Sequence, residues 1–358
     1  SDLVLKDLDP HSTYISEEEV REMNEPLQGN FEGIGIQFNI FKDTIMVVST
    51  IAGGPSEKVG LRAGDRIIRI EGENVAGIGI KNSGVRDRLL GDKGTVVQVS
   101  IKRRGVRNPL VFEIERDKIP IHSMVASYML TPKTGYMKLS RFSATTVREF
   151  DQALTKLRAQ GLEYLVLDLR DNGGGYLSAA KSMADQFLDD SKMIVYTEGL
   201  RNPRRNYRAS SYGKFEQGRV VILTDEGTAS ASEILSGALQ DWDRGVIVGR
   251  RTFGKGLVQQ PYTLRDGSMI RLTVAEYFTP TGRLIQKPYN NGTEDYRKEI
   301  ERRYEHGEFI HADSIDFPDS LLFKTKVNKR TVYGGGGIMP DVFVPADTTK
   351  YSELHKNI

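Results

Sequence analysis

The 358-residue chain has no cysteine, one tryptophan and five histidines. Without cysteine there is neither a disulfide framework nor a thiol nucleophile. No apolar run approaches the ~18 residues needed to span a bilayer. The opening Ser1-Asp2-Leu3-Val4-Leu5 lacks the basic start and long apolar stretch of a secretory signal. The chain reads as a processed product or an excised piece, with any targeting segment outside it. An excess of one charge is also missing. Lys+Arg 50 against Asp+Glu 48 leaves a formal +2, so nothing electrostatic points to nucleic acid as a partner. Solenoid repeats and low-complexity tracts are absent.

What is present is ordinary globular material, 38% apolar and 27% charged. Its length exceeds that of a usual single core, so two or more domains are expected. Glu17 to Met23 is predicted to be a short helix capped by Ser16 with Glu19 three residues on. From Phe31 to about Lys118 short strands alternate with glycine turns: Ile34, Ile36 and Phe38, then Thr44 to Val48, then Arg66 to Ile70. A helix near Val85 to Leu90 and strands Val96 to Ile101 and Leu110 to Ile114 complete a small β domain. From about Gly135 the texture becomes alternating β and α, which argues for a layered α/β core. Asn291 to about Arg330 is charged and less regular, and is expected to be a surface insertion.

Three segments carry chemistry. In Thr224-Asp225-Glu226-Gly227-Thr228-Ala229-Ser230-Ala231-Ser232-Glu233 a buried strand ends, a loop turns, and a helix begins at Ser230. A hydroxyl there lies beside unpaired N–H groups and the positive end of the helix dipole. Taken alone, a plain N-cap with Glu233 completing a capping box explains this stretch better. The histidines, at 11, 122, 306, 311 and 355, lie outside the α/β segments that carry the serine. A lysine base is the known alternative. Lys255 stands between Gly254 and Gly256, where glycines allow close backbone approach. Gly249 to Lys255 also fits a phosphate loop. Gly256 replaces the Mg²⁺-binding hydroxyl, though, and Leu257 to Leu264 reads as extended, which argues against a nucleotide site. Leu169-Arg170-Asp171-Asn172-Gly173-Gly174-Gly175 closes another strand with a loop able to present N–H groups to an anion, or merely to turn tightly.

Together these segments resemble the carboxy-terminal processing peptidases, or tail-specific proteases. So do Leu8-Asp9-Pro10-His11-Ser12, Gly33-Ile34-Gly35, Asp168-Leu169-Arg170, Phe253-Gly254-Lys255-Gly256, Tyr277-Phe278-Thr279-Pro280-Thr281-Gly282 and Gly337-Ile338-Met339-Pro340-Asp341. The resemblance implies an α/β core of the Clp protease/crotonase type with an inserted or preceding PDZ-like β domain. The expected boundaries are a partial N-terminal helical segment over 1–30, the PDZ-like domain over 31–117, the core over 118–290 and 331–346, the insertion over 291–330 and a tail over 347–358.

It further implies Ser230 as nucleophile, Lys255 as base and Gln259 as the amide that orients the lysine. The oxyanion donors would be Ala231 and either Gly174 or Gly175. Four residues of extended strand cover ~13 Å, so Gln259 reaches the amine only if a turn at Gly256 shortens the path. Asp241, ~16 Å along a straight helix from Ser230, is expected to be structural. Gly33, Ile34, Gly35 and Ile36 would hold a peptide's terminal carboxylate, with the helix carrying Val85 and Leu89 as the groove's other wall. The Arg201, Arg204, Arg205 and Arg208 cluster is read as a solvated loop, and Asn291-Gly292-Thr293 as a turn rather than a glycosylation site.

The implied function is a serine endopeptidase that binds protein C-termini and cuts nearby, without metal, nucleotide or organic cofactor. The implied setting is the periplasm or cell envelope, and self-assembly into a homo-oligomer stays open. A catalytically inactive scaffold on the same core is the alternative. A crotonase-like acyl-CoA enzyme is disfavoured by Lys255 and the PDZ segment.

Overall fold

The computed structural model describes Leu5, residues 8–315 and residues 317–347, except for the side chain of Arg21. The expected tail thus lies almost wholly outside the described residues. The chain forms two compact units, Gln28–Ile121 and the remainder. Strand Thr13–Ile15 pairs with residues 269–271 of the larger unit. The smaller unit is therefore inserted into the larger one rather than placed ahead of it, which decides the point left open above.

In the larger unit, strands Thr134–Leu139, Tyr164–Asp168, Arg219–Thr224, Gly245–Gly249 and Val342–Phe343 lie side by side and parallel. Met124–Met129 adds an antiparallel edge. Helices Thr146–Arg158, Leu177–Asp185 and Ala231–Asp241 fall between successive parallel strands, as parallel crossovers require. Their apolar faces close over Leu165, Leu167 and Ile222, which are at most 1% exposed. A second sheet carries Thr13–Ile15, Met193–Gly199, Asn202–Arg208, Leu257–Thr263 and Met269–Phe278.

The smaller unit is an antiparallel sheet of Ile36–Ile40, Ile45–Thr50, Arg66–Ile70, Val96–Lys102 and Leu110–Glu115, with Glu73–Asn74 paired to one strand. Asn30–Gly33 and Asp117–Pro120 pair where the chain enters and leaves. Helix Asn82–Leu89 covers the sheet.

Several local readings change. The helix opening at Glu17 continues to Gln28, and Ser16 and Glu19 bond reciprocally at its start. The arginine cluster is not a loop: Asn202–Arg208 is a strand paired with Met193–Gly199. Its outward arginines hid the alternation that would have marked it. The 291–330 stretch contains helix Thr293–Glu305, whose Tyr296 and Arg303 are buried. A mostly charged helix with few apolar anchors gives little periodic signal. Val85 and Leu89 face inward from their helix. They are 0% and 4% exposed and pack with Ile34 in the core of the smaller unit, because i,i+4 residues share one helix face.

Candidate active site

Two loops at the ends of adjacent parallel strands are stapled together. Thr228 Oγ1 donates to the Leu169 carbonyl at 2.9 Å, and Ala229 N–H to the Asn172 carbonyl at 3.0 Å. Gly174, at φ +99, abuts the serine so closely that a Cβ would lie 2.7 Å from Ala229 O and 2.9 Å from Ser230 Cβ. No other residue fits there.

Ser230 has φ 55 and ψ −113, a conformation rare for a residue with a side chain. Its N–H donates to Glu233 at 2.7 Å, and its carbonyl accepts from the Tyr277 hydroxyl at 3.0 Å as well as from the N–H groups of Glu233 and Ile234. Ser230 stands at the N-cap of the helix and shares a capping box with Glu233. A capping role alone does not explain the strain. Strain of this kind persists where the surroundings over-determine it, commonly at reactive sites. Ala231 follows as the first helical residue.

Lys255 is brought to the same cleft by a tightly packed segment. A Cβ on Gly254 would lie 3.0 Å from Gly337 N, and one on Gly256 2.8 Å from Gln286 N. Glu233 joins the two loops, since its carboxylate also accepts the N–H groups of Gly254 at 2.7 Å and Lys255 at 2.9 Å and the Thr252 hydroxyl at 2.5 Å. The Tyr277 hydroxyl reaches the Lys255 carbonyl as well. Burial lowers the Lys255 amine to about 8, with help from the nearby Arg271 charge and against the pull of Glu233 and Asp9. Burial pushes Glu233 up to about 7, against the four donors that favour its charged form.

Lys255 Nζ donates to Gln259 Oε1 at 3.0 Å. The path is shortened by the lysine side chain itself and by a bulge between Val258 and Gln259, rather than by a turn at Gly256. Gln259 Nε2 in turn donates to the His11 carbonyl at 2.6 Å. The carboxylate of Asp9 fixes that carbonyl by accepting the N–H groups of His11 at 2.8 Å and Ser12 at 2.9 Å and the Thr273 hydroxyl at 2.9 Å. Thus His11 acts through its backbone, while its ring meets the Tyr296 hydroxyl at 2.8 Å.

Ser230, Ala231, Lys255, Gln259, Gly174 and Gly175 all line one cleft of about 800 Å³. Among the described residues no hydrogen bond joins Ser230 Oγ to Lys255 Nζ, and such contacts often tighten only when substrate binds. Asp241 lies apart, paired with Arg283 at 2.5 Å where both are 0% exposed. Sequence reasoning missed Glu233, Tyr277 and His11 as parts of the site. Glu233 had a signal, but it pointed to capping alone.

In the smaller unit, Ile34 and Gly35 join strand Asn30–Gly33 to strand Ile36–Ile40. Gly35 has φ +72, and a Cβ there would lie 2.9 Å from Ile119 Cδ1. Ile34 is 2% exposed and packs into the core of the smaller unit.

Residues 133–295 match peptidase family S41 and residues 33–113 match the PDZ domain. Over 279 residues the chain is 37% identical to the carboxy-terminal processing protease CtpA of Bacillus subtilis, covering 78% of this chain and 59% of that one. Identity is 36% over 287 residues to the carboxy-terminal-processing protease of Bartonella bacilliformis, covering 79% and 65%. The chain thus spans about three fifths of the length of these relatives. The solved photosystem II D1 C-terminal processing protease superposes with a TM-score of 0.48 at 29% identity, covering 94% of this chain and 78% of that one. With an S41 domain around the Ser230 cleft and a PDZ domain inserted ahead of it, the chain belongs to the family of carboxy-terminal processing peptidases.

Proposed function

We propose that the chain is a serine endopeptidase in which Ser230 attacks the peptide carbonyl and Lys255 accepts its proton. The observation that carries this reading is the pairing of a strained Ser230 with a desolvated Lys255 in one cleft. An amine with a pKa of about 8 is partly neutral near pH 7, as a base must be. Gln259 anchors its Nζ, so the lone pair of the neutral amine is left for the serine proton.

The Ser230 Oγ–carbonyl bond forms as the proton passes to Lys255, and the carbonyl electron pair moves to oxygen. Ala231 N–H, at the helix start, receives that oxyanion. Gly174 N–H already donates to Asn172 Oδ1 at 3.0 Å, which favours Gly175 as the second donor. Gly175 bridges Phe142 through its neighbours' bonds, and its own N–H points the other way. The amine leaves with the proton from Lys255⁺, and water activated by the same lysine hydrolyses the acyl-enzyme. These steps use only groups of this chain.

The PDZ domain would select substrates, the Gly33–Ile36 backbone holding a terminal carboxylate and the Ile36–Ile40 edge pairing with the peptide main chain. A periplasmic or envelope setting belongs to the same proposal, consistent with the missing cysteine.

The test is reaction with a serine-directed phosphonate. Stoichiometric labelling at Ser230 and loss of peptide cleavage are expected, whereas Lys255→Ala should be neither labelled nor active. An unlabelled, inactive chain would instead favour the scaffold reading.

A further inference from the structure

Among the described residues, the cleft is lined by three cationic side chains, Arg141, Lys255 and Arg271, and by no carboxylate. Elsewhere in the larger unit several arginines withdrawn from solvent meet acids, and Arg244 meets the Phe187 and Phe215 carbonyls. Arg283 pairs with Asp241, Arg303 and Arg251 with Glu308, and Arg250 with Glu226. Arg271 differs. Its Nη1 meets the Met23 thioether at 3.3 Å, a weak acceptor, and its Nε is buried without a hydrogen-bond partner. A desolvated guanidinium without an anion is costly. An unsatisfied group of this kind, exposed to a substrate cleft, is a site awaiting its partner.

The sheet register locates it. Gln259 pairs with Thr273 and Pro261 with Arg271, with no bulge between the two pairs. Directly opposed residues share a sheet face, and residues two apart on a strand lie ~7 Å along the same face. Arg271 therefore sits one step beyond Gln259 on the face that holds the Lys255 amine. Its charge also helps to keep that amine neutral.

We propose that Arg271 is a carboxylate-binding site within the cleavage cleft, receiving a substrate acid one or two residues from the scissile bond. The inference rests on the Ser/Lys reading and adds a selectivity to it that is separate from the PDZ domain. A side-chain carboxylate of Asp or Glu and the carboxylate of a nearby chain end offer the same chemistry. Arginine grips either through two parallel hydrogen bonds.

The experiment uses the whole chain and two pairs of peptides. In the first pair both C-termini are amidated, and Glu or Gln stands within two residues of the cut. In the second pair the peptide ends two residues beyond the cut, as free acid or amide. The unaltered chain is expected to favour the carboxylate member of at least one pair by about tenfold or more in kcat/KM. The pair that responds identifies the source. Arg271→Gln should erase that preference, and Arg271→Lys should keep part of it. Binding of the same peptides to the Ser230→Ala chain reads the ratio without turnover, so failure of the serine chemistry would not hide the result. No preference in either pair, or one that survives Arg271→Gln undiminished, overturns the proposal. A surviving preference would belong to the PDZ turn.

Discussion

Lys255 Nζ donates to Gln259 Oε1 at 3.0 Å, and Gln259 is itself held by the His11 carbonyl. The amine proposed as the base thus has its position set by a neutral group, which leaves its pKa low. Gln259→Glu would put a negative charge at that distance. We expect the acidic limb of the kcat/KM profile, which lies near pH 8 for an amine of that pKa, to move upward by about one unit or more. An unmoved limb would show that Lys255 is not the group titrating in catalysis.

The lowered Lys255 pKa has a consequence for stability. The folded chain holds this proton less tightly than the unfolded one, with about 8 against an ordinary 10.5. Between those values the unfolded state binds more protons, so stability should rise with pH across that window. Below it the full penalty is present. Lys255→Met should therefore raise stability at pH 7 by on the order of 1–3 kcal/mol while abolishing cleavage. Urea unfolding of both chains at pH 7 and pH 10 checks this. The variant should lose the pH-dependent gain, and a variant less stable than the parent at pH 7 would contradict the prediction.

Ser230 at φ 55 gives a second test of strain. Ser230→Ala and Ser230→Gly should both be inactive, since neither has a hydroxyl. Glycine adopts positive φ without a Cβ penalty, so Ser230→Gly should be more stable than Ser230→Ala by about 1 kcal/mol. If the residue were only a helix cap, both variants would retain turnover.

Glu233 accepts bonds from Ser230, Thr252, Gly254 and Lys255 with no exposure to solvent. An amide has only one oxygen for these donors. Glu233→Gln should cost about 2–4 kcal/mol through donors left unsatisfied and lower kcat more than KM changes, because both reacting segments shift together. Thermal unfolding and steady-state kinetics on one preparation separate the two effects. A fully active Gln variant would show that the carboxylate is not needed to align the loops.

The PDZ domain should bind a peptide with a free apolar C-terminus more tightly than its amidated twin. Gly35→Ala should weaken that binding, since φ +72 and the Ile119 side chain leave no room for a Cβ. Titration of the whole chain made inert by Ser230→Ala reads binding alone. Equal affinity for the two peptides would remove tail recognition from the proposal and leave the cleft chemistry standing.

Much of this was legible locally. The strand–loop–helix at Thr224 to Glu233 and the glycine-flanked Lys255 announce themselves through periodicity and turn residues. The parallel strands read as short apolar runs. What stayed hidden has physical causes. The edge strand Asn202–Arg208 carries no apolar alternation, and helix Thr293–Glu305 has few buried anchors. Glu233 looked like a capping residue because its first bond is local, to Ser230, while its others cross to Thr252, Gly254 and Lys255.

The sequence by itself determined the residue types, the order of the elements and the spacing of serine and lysine. Those are consequences of backbone preference and side-chain period, which act over a few residues. Only the tertiary structure decided that Ser230 is held at a positive φ, that Asp9 and His11 buttress Gln259, and that Arg271 enters the cleft without an acid. Each of these depends on groups brought together from distant parts of the chain. Burial and hydrogen-bond satisfaction are settled only when such groups meet, and no local pattern encodes which donor will find which acceptor.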